Sequence, residues 1–92
     1  MPELVWKAFI EFEIANGENL RVKQLYEELL QSSNHVKVWI SYGCWLFGVN
    51  KKEREAARAV FKRGYQSLRE QGLNEERVML LEAWLKTDKR NK

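Results

Sequence analysis

The sequence predicts an all-α chain of antiparallel helical hairpins, about five helices stacked as a short α-solenoid. Three observations predict it. Apolar residues recur three and four positions apart, as in Leu4, Val5, Phe9 and Phe12, or Val22, Leu25, Tyr26 and Leu29, which is the helical period and not the alternation of a strand. Helix-breaking residues punctuate that period at short intervals, leaving no room for long irregular connections. An aromatic pattern also repeats: Trp6, Phe9 and Phe12 are matched by Trp39, Tyr42 and Trp45, with 33 positions from the first tryptophan to the second.

Each element has its own local warrant. Pro2 suits the first turn of helix one, where a missing N–H costs nothing, and Asn16-Gly17 closes that helix. Ser32-Ser33-Asn34 separates helix two from helix three, and Gly48-Val49-Asn50 separates three from four. Gln71-Gly72 ends helix four. Asn74 reads as the N-cap of helix five, whose Glu75 and Glu76 complement the positive end of the helix dipole. Short connections make successive helices antiparallel neighbours. The second helix of each pair repeats as well: Lys23, Leu25 and Tyr26 are echoed by Arg58, Val60 and Phe61, 35 positions on. Helix five opens a third unit in which Leu81 and Trp84 take the Trp-x-x-aromatic register, and no second helix follows it. The expected organisation is a single segment over 1–92: repeat 1 at about 3–32, repeat 2 at about 35–71, a partial repeat 3 at about 75–88, and a basic tail at 89–92.

Composition narrows the function classes. The chain has 92 residues, room for one domain, and 45% hydrophobic with 32% charged residues is an ordinary globular balance. No apolar run approaches the ~20 residues of a membrane span, and the first residues lack the basic and apolar regions of a signal peptide, so a soluble intracellular protein is expected, with no membrane partner. Catalysis or metal binding would have to be built on His35 and Cys44, the single histidine and the single cysteine. Nine positions on one helix are ~13 Å by helical rise, too far for a dyad. No cofactor, no metal and no enzymatic activity are expected. His35 fits the entry to helix three, and Cys44 a small packing residue.

Trp-x-x-aromatic-x-x-aromatic on one helix, with basic-x-aliphatic-aromatic on its partner, resembles the half-a-TPR (HAT) repeat of RNA-processing proteins. Glu13, after Phe12, fits that pattern too. The strings Leu4-Val5-Trp6-Lys7-Ala8-Phe9-Ile10-Glu11-Phe12-Glu13, His35-Val36-Lys37-Val38-Trp39-Ile40-Ser41 and Arg77-Val78-Met79-Leu80-Leu81-Glu82-Ala83-Trp84 are similar to a pre-mRNA splicing factor of that family. The resemblance implies a TPR-like fold and a nuclear protein-protein interaction scaffold of the spliceosome, associated with the Prp19 complex, whose partners are other splicing proteins. A HAT scaffold of mRNA 3'-end processing is the alternative within the family. Thr87-Asp88, where an aromatic-Glu pair belongs, departs from the pattern.

Two groups of residues then carry the functional expectations. Trp6, Phe9, Phe12, Trp39, Tyr42 and Trp45, with Leu25, Tyr26, Val60, Phe61, Leu81 and Trp84, are expected to pack the repeats, Trp45 being the ring expected to stay partly exposed. The competing use of the aromatics is as a platform on which RNA bases stack. Lys51, Lys52, Arg54, Arg58, Lys62 and Arg63 form a basic series along helix four. It suits either RNA phosphates or an acidic partner, against the plainer reading of a solvated face interleaved with Glu53 and Glu55. The charge is divided: residues 1–50 hold four Lys/Arg and six Asp/Glu (−2), residues 51–92 twelve and seven (+5). Finally, the incomplete third repeat, through Leu80, Leu81 and Trp84, is expected to dock on a further hairpin or on a second copy of the chain.

Overall fold

The computed structural model describes residues 3–32, 35–49 and 51–90. Among the described residues five α-helices follow one another: α1 (Glu3–Ala15), α2 (Asn19–Ser32), α3 (Val36–Val49), α4 (Arg54–Glu70) and α5 (Asn74–Arg90), with one 3₁₀ turn, Lys51–Glu53, before α4. The described residues contain no strand, and none of their helices is long and apolar enough to cross a membrane. The chain divides into two compact units, Met1–Ser33 and Asn34–Lys92.

The punctuation acts where glycine can take a left-handed backbone. Gly17 (φ 72°) and Gly72 (φ 73°) are the C′ residues of α1 and α4. After α1 the Glu18 N–H donates to the Glu13 carbonyl at 3.2 Å and the Gly17 N–H to that of Ile14 at 3.0 Å. After α4 the Leu73 N–H donates to Leu68 at 3.0 Å and the Gly72 N–H to Arg69 at 3.1 Å. Both ends are Schellman motifs, satisfying carbonyls that the helix leaves open. His35 caps α3: its carbonyl accepts from Val38 at 3.0 Å, and its Nδ1 accepts the Lys37 N–H at 3.2 Å.

Three boundary expectations are corrected. Gly48 and Val49 belong to α3, which runs through them, because Gly48 keeps a negative φ and a glycine there costs only helix propensity. Asn74 is the first helical residue and not the cap; the carbonyl that accepts the opening bond, from the Arg77 N–H at 3.0 Å, is that of Leu73. Lys89 and Arg90 continue α5. Pro2, Ser33, Asn34, Asn50, Asn91 and Lys92 lie outside the described residues.

The first unit is a hairpin. Trp6 and Ile10 on α1 and Val22, Tyr26 and Leu29 on α2 are buried, and the Trp6 and Tyr26 rings meet edge-on, 6.5 Å between centroids. Glu13, 9% exposed, continues the Trp6 and Ile10 stripe one turn on, and its carboxylate reaches the Arg21 Nε at 3.4 Å across the turn. The second unit packs three helices together, α5 lying against both α3 and α4. At its centre Phe61 is fully buried, 6.1 Å from the Phe47 ring and stacked on Trp84 at 5.7 Å with 7° between planes. Leu46, Leu68 and Leu80 complete that core, each such side chain contributing ~1.5 to 3 kcal/mol by burial. Close approach needs glycine at two crossings. A Cβ at Gly64 would lie 2.8 Å from Cγ of Trp39, and one at Gly43 2.5 Å from the Phe61 ring.

Candidate protein-docking surfaces

The packing residues expected from the sequence divide into those the two units bury and those they leave open. Trp6, Tyr26, Trp39, Tyr42, Val60 and Phe61 are buried; Leu25, Trp45 and Trp84 are half-buried. Buried rings cannot serve as a base-stacking platform, so Trp6, Trp39 and Tyr42 are structural. Phe9 and Phe12 depart from the expectation, at 49% and 64% exposed. The reason is angular. A spacing of three residues lags a full turn by about 60°, so the i, i+3, i+6 series winds off the packed side, whereas Trp6, Ile10 and Glu13 at i, i+4, i+7 stay on it. Leu81 is corrected on the same ground: it is 38% exposed, and Leu80, fully buried, holds the position assigned to it. Leu80 and Trp84 therefore close the core of the second unit and are not free to dock elsewhere.

What remains open is apolar on two helices. On α1, Val5, Phe9 and Phe12 form an exposed stripe at i, i+4, i+7, beside a groove between α1 and α2 of about 330 Å³ lined by Val5, Trp6, Phe9, Ile10, Leu25 and Leu29, with Glu28 and Ser32 also on its wall. On α5, Val78, Leu81 and Leu85 are 51%, 38% and 62% exposed at i, i+3, i+7. Apolar stripes of this kind are how helices meet partner helices and grooves. Sequence reasoning missed Val5, Val78 and Leu85 because it followed one stripe per helix. The three- and four-residue periods of α1 and α5 support two.

The basic series of α4 does not converge on one surface. Lys51 and Lys52 are exposed in the 3₁₀ turn, and Lys62 is exposed on α4. Arg54 is half-buried, its Nε without a hydrogen-bond partner among the described residues. Arg58 Nη2 binds Asp88 Oδ1 on α5 at 3.0 Å, and its guanidinium lies 5.9 Å from the Phe47 ring centre. Arg63 lies over Trp39 on α3 at 5.4 Å. Both arginines brace α4 against α3, and Arg58 braces it against α5 as well, each cation over a ring contributing about 0.5 to 1 kcal/mol at an exposed site. Arg77 on α5 does the same over Tyr65 of α4, at 5.6 Å, a contact that spacing along one helix could not reveal.

His35 is spent on the α3 cap, and Cys44 is half-buried with its Sγ 3.3 Å from the Thr87 Oγ1. The described residues hold no cluster of metal-ligating side chains. Thr87 and Asp88, which break the aromatic-Glu pattern, thus fasten α5 to α3 and α4.

Residues 3–89 fit the family model for the PRP39 C-terminal HAT repeat. The chain belongs to the HAT-repeat family. This HAT segment is 46% identical to the pre-mRNA-splicing factor clf1 of Aspergillus fumigatus, over 91% of the chain and 15% of that protein. It is 41% identical to the pre-mRNA-splicing factor cwf4 of Schizosaccharomyces pombe, over 90% of the chain and 14% of that protein. To the human crooked neck-like protein 1 it is 40% identical, over 91% of the chain and 10% of that protein. The HAT segment thus spans between 10% and 15% of the length of these relatives. The splicing factor that its Leu4–Glu13, His35–Ser41 and Arg77–Trp84 strings resemble is crooked neck.

Proposed function

We propose that this HAT segment is a protein-docking part of a nuclear pre-mRNA splicing factor of the crooked neck kind, with a geometric role and no chemistry of its own. One observation carries the reading: relatives named as pre-mRNA splicing factors are 41% and 46% identical over about nine-tenths of the chain. The open apolar faces of α1 and α5 support it, since a segment that buries its family aromatics and leaves other apolar stripes uncovered is suited to being held between neighbours. The finer assignment is to assemblies around the Prp19 complex, with other splicing proteins as partners.

The test is recovery of splicing proteins from nuclear extract on the immobilised 92-residue chain. Components of the Prp19 complex are expected among them, and to be lost when Phe12, exposed on α1, is changed to Glu without loss of helicity. Recovery of no splicing protein rejects the reading, and recovery of splicing proteins without the Prp19 complex rejects the finer one. RNA contact by the α4 face is the second reading, favoured only by the exposure of Lys51, Lys52 and Lys62. It requires binding that falls steeply between low and physiological salt and weakens when these lysines are replaced.

A further inference from the structure

We propose that the apolar groove between α1 and α2 takes the α5 helix of a second copy of this chain, so that copies associate head to tail. The inference does not rest on the splicing reading.

The two surfaces match in chemistry and size. The groove is a cleft of about 330 Å³ whose walls are the apolar side chains of α1 and α2. The α5 stripe presents Val78, Leu81 and Leu85 at i, i+3, i+7, the anchor spacing with which an amphipathic helix enters such a groove. From Val78 to Leu85 is seven residues, about 10 Å of helix, and the α2 wall of the groove from Leu25 to Ser32 has the same length.

Charge supplies a second and independent observation. Residues 1–33 carry three Lys/Arg and six Asp/Glu, net −3; residues 34–92 carry thirteen and seven, net +6. The unit that holds the groove is acidic and the unit that presents the stripe is basic. Glu28 lies on the groove wall, and Lys89, one turn beyond Leu85, is exposed on the stripe's side of α5. A face paired with its own copy would set like charge against like. Groove against α5 sets opposite signs together, which steers encounter and selects that pairing over the symmetric one. Because each copy offers one groove and one stripe, the contact is heterologous and continues beyond a dimer.

The experiment is sedimentation velocity of the 92-residue chain across a concentration series at low and high salt, with two variants. Phe9→Glu blocks the groove and Leu85→Glu blocks the stripe; both positions are exposed, and far-ultraviolet circular dichroism checks the fold of each. If Phe9→Glu does not fold, Val5→Glu, at an exposed position on the groove wall, replaces it. The wild type is expected to grow past dimer with concentration and to associate less at high salt. Each variant alone should weaken association by about tenfold or more, as loss of a central apolar anchor does. Mixed in equal amounts, the variants should form a complex that stops at 1:1, since one intact groove and one intact stripe remain between them. A wild type that stays monomeric at every concentration overturns the proposal. So does association that either variant leaves intact, or a mixture that forms no 1:1 complex, the result expected if like faces pair.

Discussion

Helices α1 and α3 carry the same aromatic spacing, yet Tyr42 is 5% exposed where its counterpart Phe9 is 49% exposed. Within its unit α1 has one neighbour, α2; α3 has two, α4 and α5. One neighbour covers one stripe of a helix, here Trp6, Ile10 and Glu13. Two neighbours cover a wide arc, and α3 accordingly buries Val36, Val38, Trp39, Tyr42, Gly43, Leu46 and Phe47. The aromatic spacing therefore records where a repeat is able to pack, and the number of neighbouring helices determines how much of it is used. The unit with fewer neighbours is the one left with an open groove.

The comparison can be broken at five positions. Phe61→Ala, at the centre of the second unit, should lower stability by about 3 to 5 kcal/mol, read from the shift of the denaturant midpoint; a loss under 1 kcal/mol would mean the three-helix core is not the stable part. Gly64→Ala should cost about 1 to 3 kcal/mol, because its methyl group meets the stem of a buried Trp39 and not a mobile side-chain end. Gly17→Ala and Gly72→Ala test whether the two units respond alike to the same defect. Both place a side chain at φ near 70°, and each should cost about 1 kcal/mol in thermal or chemical melts. In the dilute, unassociated chain, Phe9→Ala should change stability by less than about 0.5 kcal/mol. A larger loss would show that the open side of α1 is packed in solution, and would draw the two units closer in kind.

Much of this contrast was legible in the residues. The helical period, the Asn16-Gly17 and Gln71-Gly72 stops and the entry role of His35 are local properties, and they correspond to the Schellman motifs and the α3 cap. The repeat of Trp6, Phe9 and Phe12 at Trp39, Tyr42 and Trp45 identified the family, because the packing positions of a repeat recur with the repeat. The roles within that pattern were less legible. A period of three and a period of four each define a face on the same helix, and both are apolar on α1. The sequence does not say which one meets a neighbour. On α5 the same ambiguity exchanged Leu80 for Leu81.

The basic series of α4 shows the same limit on the polar side. Spacing collected Arg58 and Arg63 into one candidate surface, whereas Arg58 is held by Asp88 of α5 and Phe47 of α3, and Arg63 by Trp39 of α3. No pattern along α4 encodes what stands on its flanks.

By itself, then, the sequence determined the helices, their stops and the repeat family, all of which follow from hydrogen bonding and side-chain periodicity within a few turns of chain. Tertiary structure alone decided which aromatics are buried, which arginines are already engaged, and that α1 with α2 leaves a groove. Burial depends on how many helices surround a given face, and that number is a property of the packed chain.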